Sequence, residues 1–219
     1  MDVQDGKKKS THISLRQKVY EQIKHDIITC QLAPGEPLSE GRFADRFQVS
    51  KTPIREALTS LQKDRLVEYT PNRGFIVTPI SYKDVQEIFE ARLFYETTLF
   101  KLALKHITEA DIESLHGYSR VEHNPEDPNA IELYQQANHD FHMEIARIAR
   151  NSRLYWHYNN ILNEAQRLIY LDFQNSRILA DWHRSHQEIM QALRDRDVAA
   201  GLLAIEDTLD KARKRILET

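Results

Sequence analysis

Apolar residues recur three and four apart through Leu15, Val19, Ile23, Ile27 and Ile28, which predicts a helix from Ser14 to Cys30. Leu32-Ala33-Pro34-Gly35 ends it, because proline lacks a donor N–H and glycine accepts the turn. A short second helix opens at Leu38-Ser39-Glu40, with Ser39 as N-cap and Phe43, Ala44 and Phe47 as its apolar side. Val49-Ser50 makes the next turn. Ser50 caps a third helix that runs to about Leu61, with Pro53 in the first turn, where a missing N–H costs nothing. Ile54, Ala57, Leu58 and Leu61 form its buried stripe. From Leu66 the period changes. Val67-Glu68-Tyr69 and Phe75-Ile76-Val77 flank Pro71-Asn72-Arg73-Gly74, a hairpin signal.

Beyond Ser81 the pattern is helical almost throughout, with helices predicted over 81–106, 108–121, 129–150, 152–173, 176–195 and 197–217. Ser81 and Thr108 each have an aspartate three residues on (Asp84, Asp111), the spacing of a capping box. Glu122 to Pro128, with two prolines, is the one long interruption. The fold class is therefore mainly α: residues 1–13 as an arm, 14–79 as three helices with a two-stranded wing, and 80–219 as an all-α bundle.

Composition sharpens this division. The net charge of −3 over 219 residues conceals a first part, residues 1–80, with 13 Lys/Arg against 10 Asp/Glu. The remainder has 17 against 23, with eight of the ten histidines. A basic first domain suits an anionic partner, and an acidic, histidine-bearing second domain suits cations. Cys30 stands alone, which excludes an internal disulfide framework and a multi-cysteine zinc site and fits a reducing cytoplasm. No apolar run reaches the roughly 18–20 residues of a membrane span. Lys7, Lys8 and Lys9 have no apolar stretch behind them, so the start does not read as a secretory signal.

A short helix, a tight turn and a helix opening Ser50-Lys51-Thr52-Pro53-Ile54-Arg55 has the layout of a helix-turn-helix. In that geometry Lys51, Thr52 and Arg55 face the major groove. Arginine can fork guanine, while lysine and threonine suit phosphate or single base contacts. Arg73 and Gly74 at the wing tip can reach the minor groove or backbone, and Arg42 and Arg46 are further candidates on the second helix. Residues 15–79 resemble the winged helix-turn-helix of the GntR family of bacterial transcription regulators. The text that carries the resemblance is Leu32-Ala33-Pro34-Gly35, Leu38-Ser39-Glu40, Val49-Ser50-Lys51-Thr52-Pro53-Ile54-Arg55-Glu56-Ala57-Leu58 and Pro71-Asn72-Arg73-Gly74-Phe75. The family commonly has arginine where Lys51 stands, which implies a phosphate-leaning contact there. Some members use an arginine where this chain has Gly41, with Arg42 adjacent.

The second part resembles the FCD effector domain of the FadR-type branch, through Arg92 and Glu96, Asn138 with Phe141-His142, Asn151, and His186 with Ile189. Asn138 and His142, four apart, share a helix face, and His186 comes from another helix. The resemblance implies a divalent metal held by one aspartate and three histidines under a pocket for a small carboxylate. Here Asn138 replaces the aspartate and Thr208 the last histidine. An amide and a hydroxyl are weak ligands. The expectation is thus no tightly held cofactor, with His142 and His186 as the residues that would hold zinc if a divalent ion binds. His139 and His183 lie close enough in sequence to substitute. Without a metal, an organic acid could still bind through Arg92, Tyr134, Asn138, His142, His186 and Thr208. For Arg92 the competing reading is an ion pair with Glu96.

The function expected is that of a dimeric, cytoplasmic repressor on a palindromic double-stranded operator, controlled by a small organic acid bound in the C-terminal bundle. The dimer is implied by the FCD resemblance. The alternative is a metal-dependent enzyme using His142 and His186. Against it, the chain has no phosphate loop, nucleophile–base motif or His-Glu-x-x-His pattern.

Overall fold

The computed structural model describes residues 14–120, 129–173 and 179–218. The expected N-terminal arm, the Glu122–Pro128 interruption and the start of the helix predicted over 176–195 lie outside the described residues. The chain divides into two compact units, one holding residues up to Ile27 and Leu32–Thr78, the other Ile28–Gln31 and the chain from Pro79.

In the first unit α1 (Leu15–Ile28) opens on Ser14, whose hydroxyl accepts from Gln17 N–H at 3.2 Å, and ends where Cys30 turns left-handed (φ 55°). Ala33–Glu36 is a tight turn. Pro34 sets its first corner, Gly35 takes φ 79°, and Glu36 N–H returns to Ala33 O at 2.9 Å. The chain then forms β1 (Pro37–Leu38), α2 (Glu40–Phe47), α3 (Lys51–Lys63), β2 (Val67–Thr70) and β3 (Gly74–Val77). The sheet has order β1-β3-β2, antiparallel throughout, with Leu38 opposite Phe75 and Val67 opposite Val77. The expected two-stranded wing therefore has a third strand. Two residues beginning with a proline carry no period, and an edge is the one place a sheet accepts proline.

Between α2 and α3, Gln48 turns left-handed (φ 55°) and Val49 N–H returns to Ala44 O at 3.0 Å, closing the C-terminus of α2. The core beneath is Val19, Ile23 and Ile27 of α1 against Phe43, Ile54, Leu58 and Leu61, capped by Val67, Phe75 and Val77 of the sheet.

The second unit is helical: α4 (Tyr82–Ala103), α5 (Glu109–Ser119), α6 (Ala130–Ile148), α7 (Ser152–Phe173), α8 (Leu179–Asp195) and α9 (Val198–Leu217). Ser81–Asp84 and Thr108–Asp111 both form complete capping boxes, as the spacing predicts. α4 is central and packs against α6, α7 and α9. Arg196 donates to Leu104 O and, at 3.1 Å, to Ile107 O, satisfying carbonyls just past the end of α4. Asp172 on α7 accepts from Trp182 Nε1 of α8 at 3.3 Å and from both edge nitrogens of Arg215 on α9 at 2.9 and 2.7 Å. One buried carboxylate so fastens three helices. Among the described residues no helix is long and apolar enough to cross a membrane.

Gly201 lets α9 reach α4. A Cβ there would meet the Phe100 ring at 2.0 Å, and that ring is fully buried and has nowhere to move. Gly201→Ala is expected to lower unfolding free energy by about 1–3 kcal/mol, the usual range for overpacking. Gly117→Ala, on open helix surface, should instead raise it by about 0.5–1 kcal/mol through helix propensity. Urea unfolding of the two variants checks both signs.

Candidate functional site

The outward face of α3 begins at Ser50. Its backbone is extended, as an N-cap requires, but its hydroxyl makes no capping bond. The expected side-chain cap is thus absent, and the first-turn N–H groups of α3 keep their attraction for an anion. Lys51, Thr52 and Arg55 are exposed on the side opposite Ile54, Ala57 and Leu58. With Glu56, Thr59, Ser60 and Lys63 they line an open groove of about 520 Å³, whose far wall carries Arg16 of α1. Arg16 is held there by a 3.0 Å bond to Ser60 Oγ. Four lining cations outnumber Glu56 of the lining and Glu40, which pairs with Arg55, and make the groove basic. The sequence pattern singles out neither Arg16, which only tertiary packing brings beside α3, nor Lys63, which lies at the far end of α3 beyond the motif.

Three of the four candidate arginines are engaged by carboxylates. Arg55 donates from Nε and Nη2 to the two oxygens of Glu40 at 3.0 and 2.9 Å. Arg42 bonds Glu36 at 3.0 Å and lies over the Phe43 ring, 5.5 Å from its centroid. Arg46 pairs with Asp26, a buried carboxylate that also accepts from Gln22 at 3.0 Å, and lies over Phe47. Arg46 thereby ties α2 to α1. Arg73 is exposed at the wing tip, between Asn72 (φ 67°) and Gly74 (φ 76°), with no side-chain partner among the described residues.

Within the bundle a second group of polar side chains meets out of contact with water. Arg92 and Glu96 come from α4, Asn138 and His142 from α6, Tyr158 from α7 and His186 from α8. All are buried, and Arg92 is 0% exposed. Arg92 Nε–H donates to Glu96 at 2.9 Å, so the expected i,i+4 pair forms, but both Nη atoms lack a partner. His142 Nδ1 lies 3.5 Å from the other Glu96 oxygen. The two imidazoles stand edge to face with centroids 5.4 Å apart, and His186 stacks on Phe141 at 4.1 Å. Asn138 Oδ1, His142 Nε2, Tyr158 Oη and His186 Nε2 are also buried without partners. Each such group costs about 1–3 kcal/mol if it is left unsatisfied.

Two expected members stand elsewhere. Tyr134 packs edge to face on Phe173 at 5.3 Å, and burial pushes its hydroxyl up to about 12. Thr208 donates its hydroxyl to Ala204 O at 2.7 Å and lines a separate pocket of about 70 Å³ with Trp182, Glu188 and Lys211. Beside the histidines the space is about 10 Å³, bounded by Glu96, Leu99, His142, Ile145, Tyr158, Ile189 and Ile205. That holds roughly one water molecule. Near the start of α7, Tyr158 is core, while Tyr155 and Trp156 are surface.

The donors here do not fit a tightly held divalent ion. Among the described residues no three His, Cys, Asp or Glu side chains converge as a ligand set. Thr208 has turned its hydroxyl to its own helix, His183 bonds Gln187 at 2.9 Å, and His139 lies by Asp140. Burial, and then the charge of Arg92, hold His142 well below the ordinary imidazole pKa. Burial and the neighbouring His142 do the same to His186.

Those depressed values set a pH dependence. Below the ordinary pKa of about 6.5 the unfolded chain takes up two protons that the folded cluster refuses, so stability is full above that pH and falls beneath it. Between pH 7.5 and 5.5 the two histidines together should remove up to about 3 kcal/mol. Denaturant unfolding across that range, repeated with His186→Phe, checks this; the variant should show about half the slope assigned to the pair.

Comparison with known proteins agrees with the two halves of this description. The model of the bacterial regulatory proteins of the gntR family matches residues 15–77, and that of the FCD domain matches residues 87–211. The HTH-type transcriptional repressor RspR of Escherichia coli K12 is 29% identical over 184 residues, 84% of this chain and 80% of its own length. Among solved structures, E. coli McbR/YncC superposes with a TM-score of 0.79 at 18% identity, over 94% of this chain and 98% of that one. A GntR regulator from Rhodococcus sp. RHA1 gives 0.77 at 22%, over 93% and 98%. The chain belongs to the GntR family of bacterial transcription regulators, with its gntR-type helix-turn-helix in residues 15–77 and its FCD domain in residues 87–211.

Proposed function

We propose that this regulator is a dimeric repressor that binds a palindromic DNA operator through α3 and the wing and answers to a small organic acid in its FCD bundle. The observation that carries the DNA reading is the basic groove along α3, with Lys51 and Arg55 at its reading end and an uncapped helix N-terminus beside them. In this reading Lys51, the Ser50 and Thr52 hydroxyls and the α3 N–H groups take phosphate, and Arg55 takes a base edge. Arg73 and Gly74 reach the neighbouring groove from the wing tip. Arg42 contributes charge at the rim. Arg46 serves chiefly as the strut to Asp26. The repressor sign follows the printed name of RspR. Phe94 and Trp156, 63% and 60% exposed on α4 and α7, supply apolar surface for a second copy to cover.

In the bundle the free Nη atoms of Arg92 are the anchor for a carboxylate, with Asn138, His142 and His186 beside it. Tyr134 and Thr208 are second-line candidates, reached only if the helices part. The ligand binds without zinc, since the fixed cation beside the imidazoles is already the guanidinium.

Fluorescence anisotropy on a duplex selected from genomic fragments tests the DNA reading. Arg55→Ala should weaken operator binding at least about tenfold while leaving random-sequence binding nearly unchanged. Lys51→Ala should weaken both and lower the log–log salt slope by about 0.9. Full operator affinity in Arg55→Ala would overturn the assignment. In the bundle, a small carboxylate that raises the melting midpoint of the wild type should do so equally in excess EDTA, and should fail with Arg92→Lys.

A further inference from the structure

Arg55 is not a loose surface cation. Its Nε–H and one Nη2–H run to the two oxygens of Glu40 at 3.0 and 2.9 Å, so one whole edge of the guanidinium is occupied. Guanidinium has five N–H groups in a fixed plane. With the Nε/Nη2 edge held, the end-on Nη1/Nη2 edge keeps two parallel N–H groups pointing away along the side chain. Two parallel donors are what guanine O6 and N7 accept.

Glu40 is built to hold that edge. It is the first residue of α2, whose start is fixed by the Ser39 cap on Arg42 N–H at 3.3 Å. Its side chain is 20% exposed, against 69% for Arg55. The carboxylate is therefore anchored to the scaffold, and the guanidinium stands on the rim. The hydrogen bond and charge of Glu40 raise the arginine's pKa further, so the guanidinium stays charged. An unheld arginine samples many rotamers and meets phosphate, the commonest anion on a duplex, as readily as a base.

We propose that Glu40 is the specificity-determining positioning residue of the reading head: it fixes the Arg55 fork for one guanine and offsets its charge, so that Arg55 adds little sequence-blind attraction. The proposal rests on Arg55 being a base reader. Lys51, with no ion-pair partner among the described residues, has the complementary part of supplying charge without discrimination.

The test uses the full chain and a duplex selected by the wild type from a random library. The guanine read by Arg55 is the one whose replacement by adenine weakens the wild type but not Arg55→Ala. Glu40→Gln keeps the shape of the side chain and removes its charge. It should lose about tenfold in discrimination at that guanine. It should also bind scrambled duplex more tightly, with a log–log salt slope steeper by up to about 0.9. Glu40→Asp keeps the charge but shortens the reach, so it should lose the discrimination with the salt slope unchanged; melting midpoints close to wild type show that both variants fold. Undiminished discrimination in Glu40→Gln, with or without tighter operator binding, overturns the proposal while leaving Arg55 as the reader. Discrimination retained at every guanine by Arg55→Ala overturns the base-reading assignment itself, and the positioning role with it.

Discussion

A guanidinium with no solvent exposure dominates the physics of the larger unit. Arg92 is carried on α4, the helix against which α6, α7 and α9 pack, so its charge lies where three interfaces meet. Taking such a charge out of water costs several kcal/mol unless it is paired, and truncating one partner strands the other. Glu96, one turn on, compensates through a single nitrogen. The titratable groups around it stay uncharged chiefly because they are buried with it. The imidazoles stay neutral, Tyr158 stays protonated because burial and then Glu96 disfavour its anion, and a metal dication meets a fixed positive neighbour.

The smaller unit handles its cations in the opposite way. Arg42, Arg46 and Arg55 are each tied to a carboxylate of the same unit, while Lys51 and Arg73 are left open. Tethering turns a flexible side chain into part of the frame. The groove beside α3 therefore holds both tethered and untethered cations, which in the proposed reading separates the task of choosing a sequence from that of attracting any duplex.

The fold was largely legible from local chemistry. The capping boxes at Ser81 and Thr108, the turn at Pro34-Gly35 and the helical stripes depend on residues within a turn of one another, and each formed. Strand β1 escaped because two residues have no period. Glu40 and Arg55 are 15 apart and Arg46 and Asp26 are 20 apart, so nothing in the linear text pairs them. In the bundle, Asn138 and His142 are both buried on α6, and His186 meets His142. Tyr134 lies on the same face of α6 but two turns before His142, where it meets Phe173, and the Thr208 hydroxyl turns back to its own helix.

The narrow space beside His142, about 10 Å³, has a consequence for sensitivity. Anything larger than water must bind an arrangement in which Ile145, Ile189 or Ile205 has moved aside. If that wider arrangement holds one part in a hundred of the resting population, the observed affinity is about a hundredfold weaker than the intrinsic one. In the proposed reading of the bundle as an effector site, core packing then becomes a dial for the ligand concentration it answers to. Trimming one of those isoleucines would sharpen the response to dilute ligand without touching any atom that recognises it.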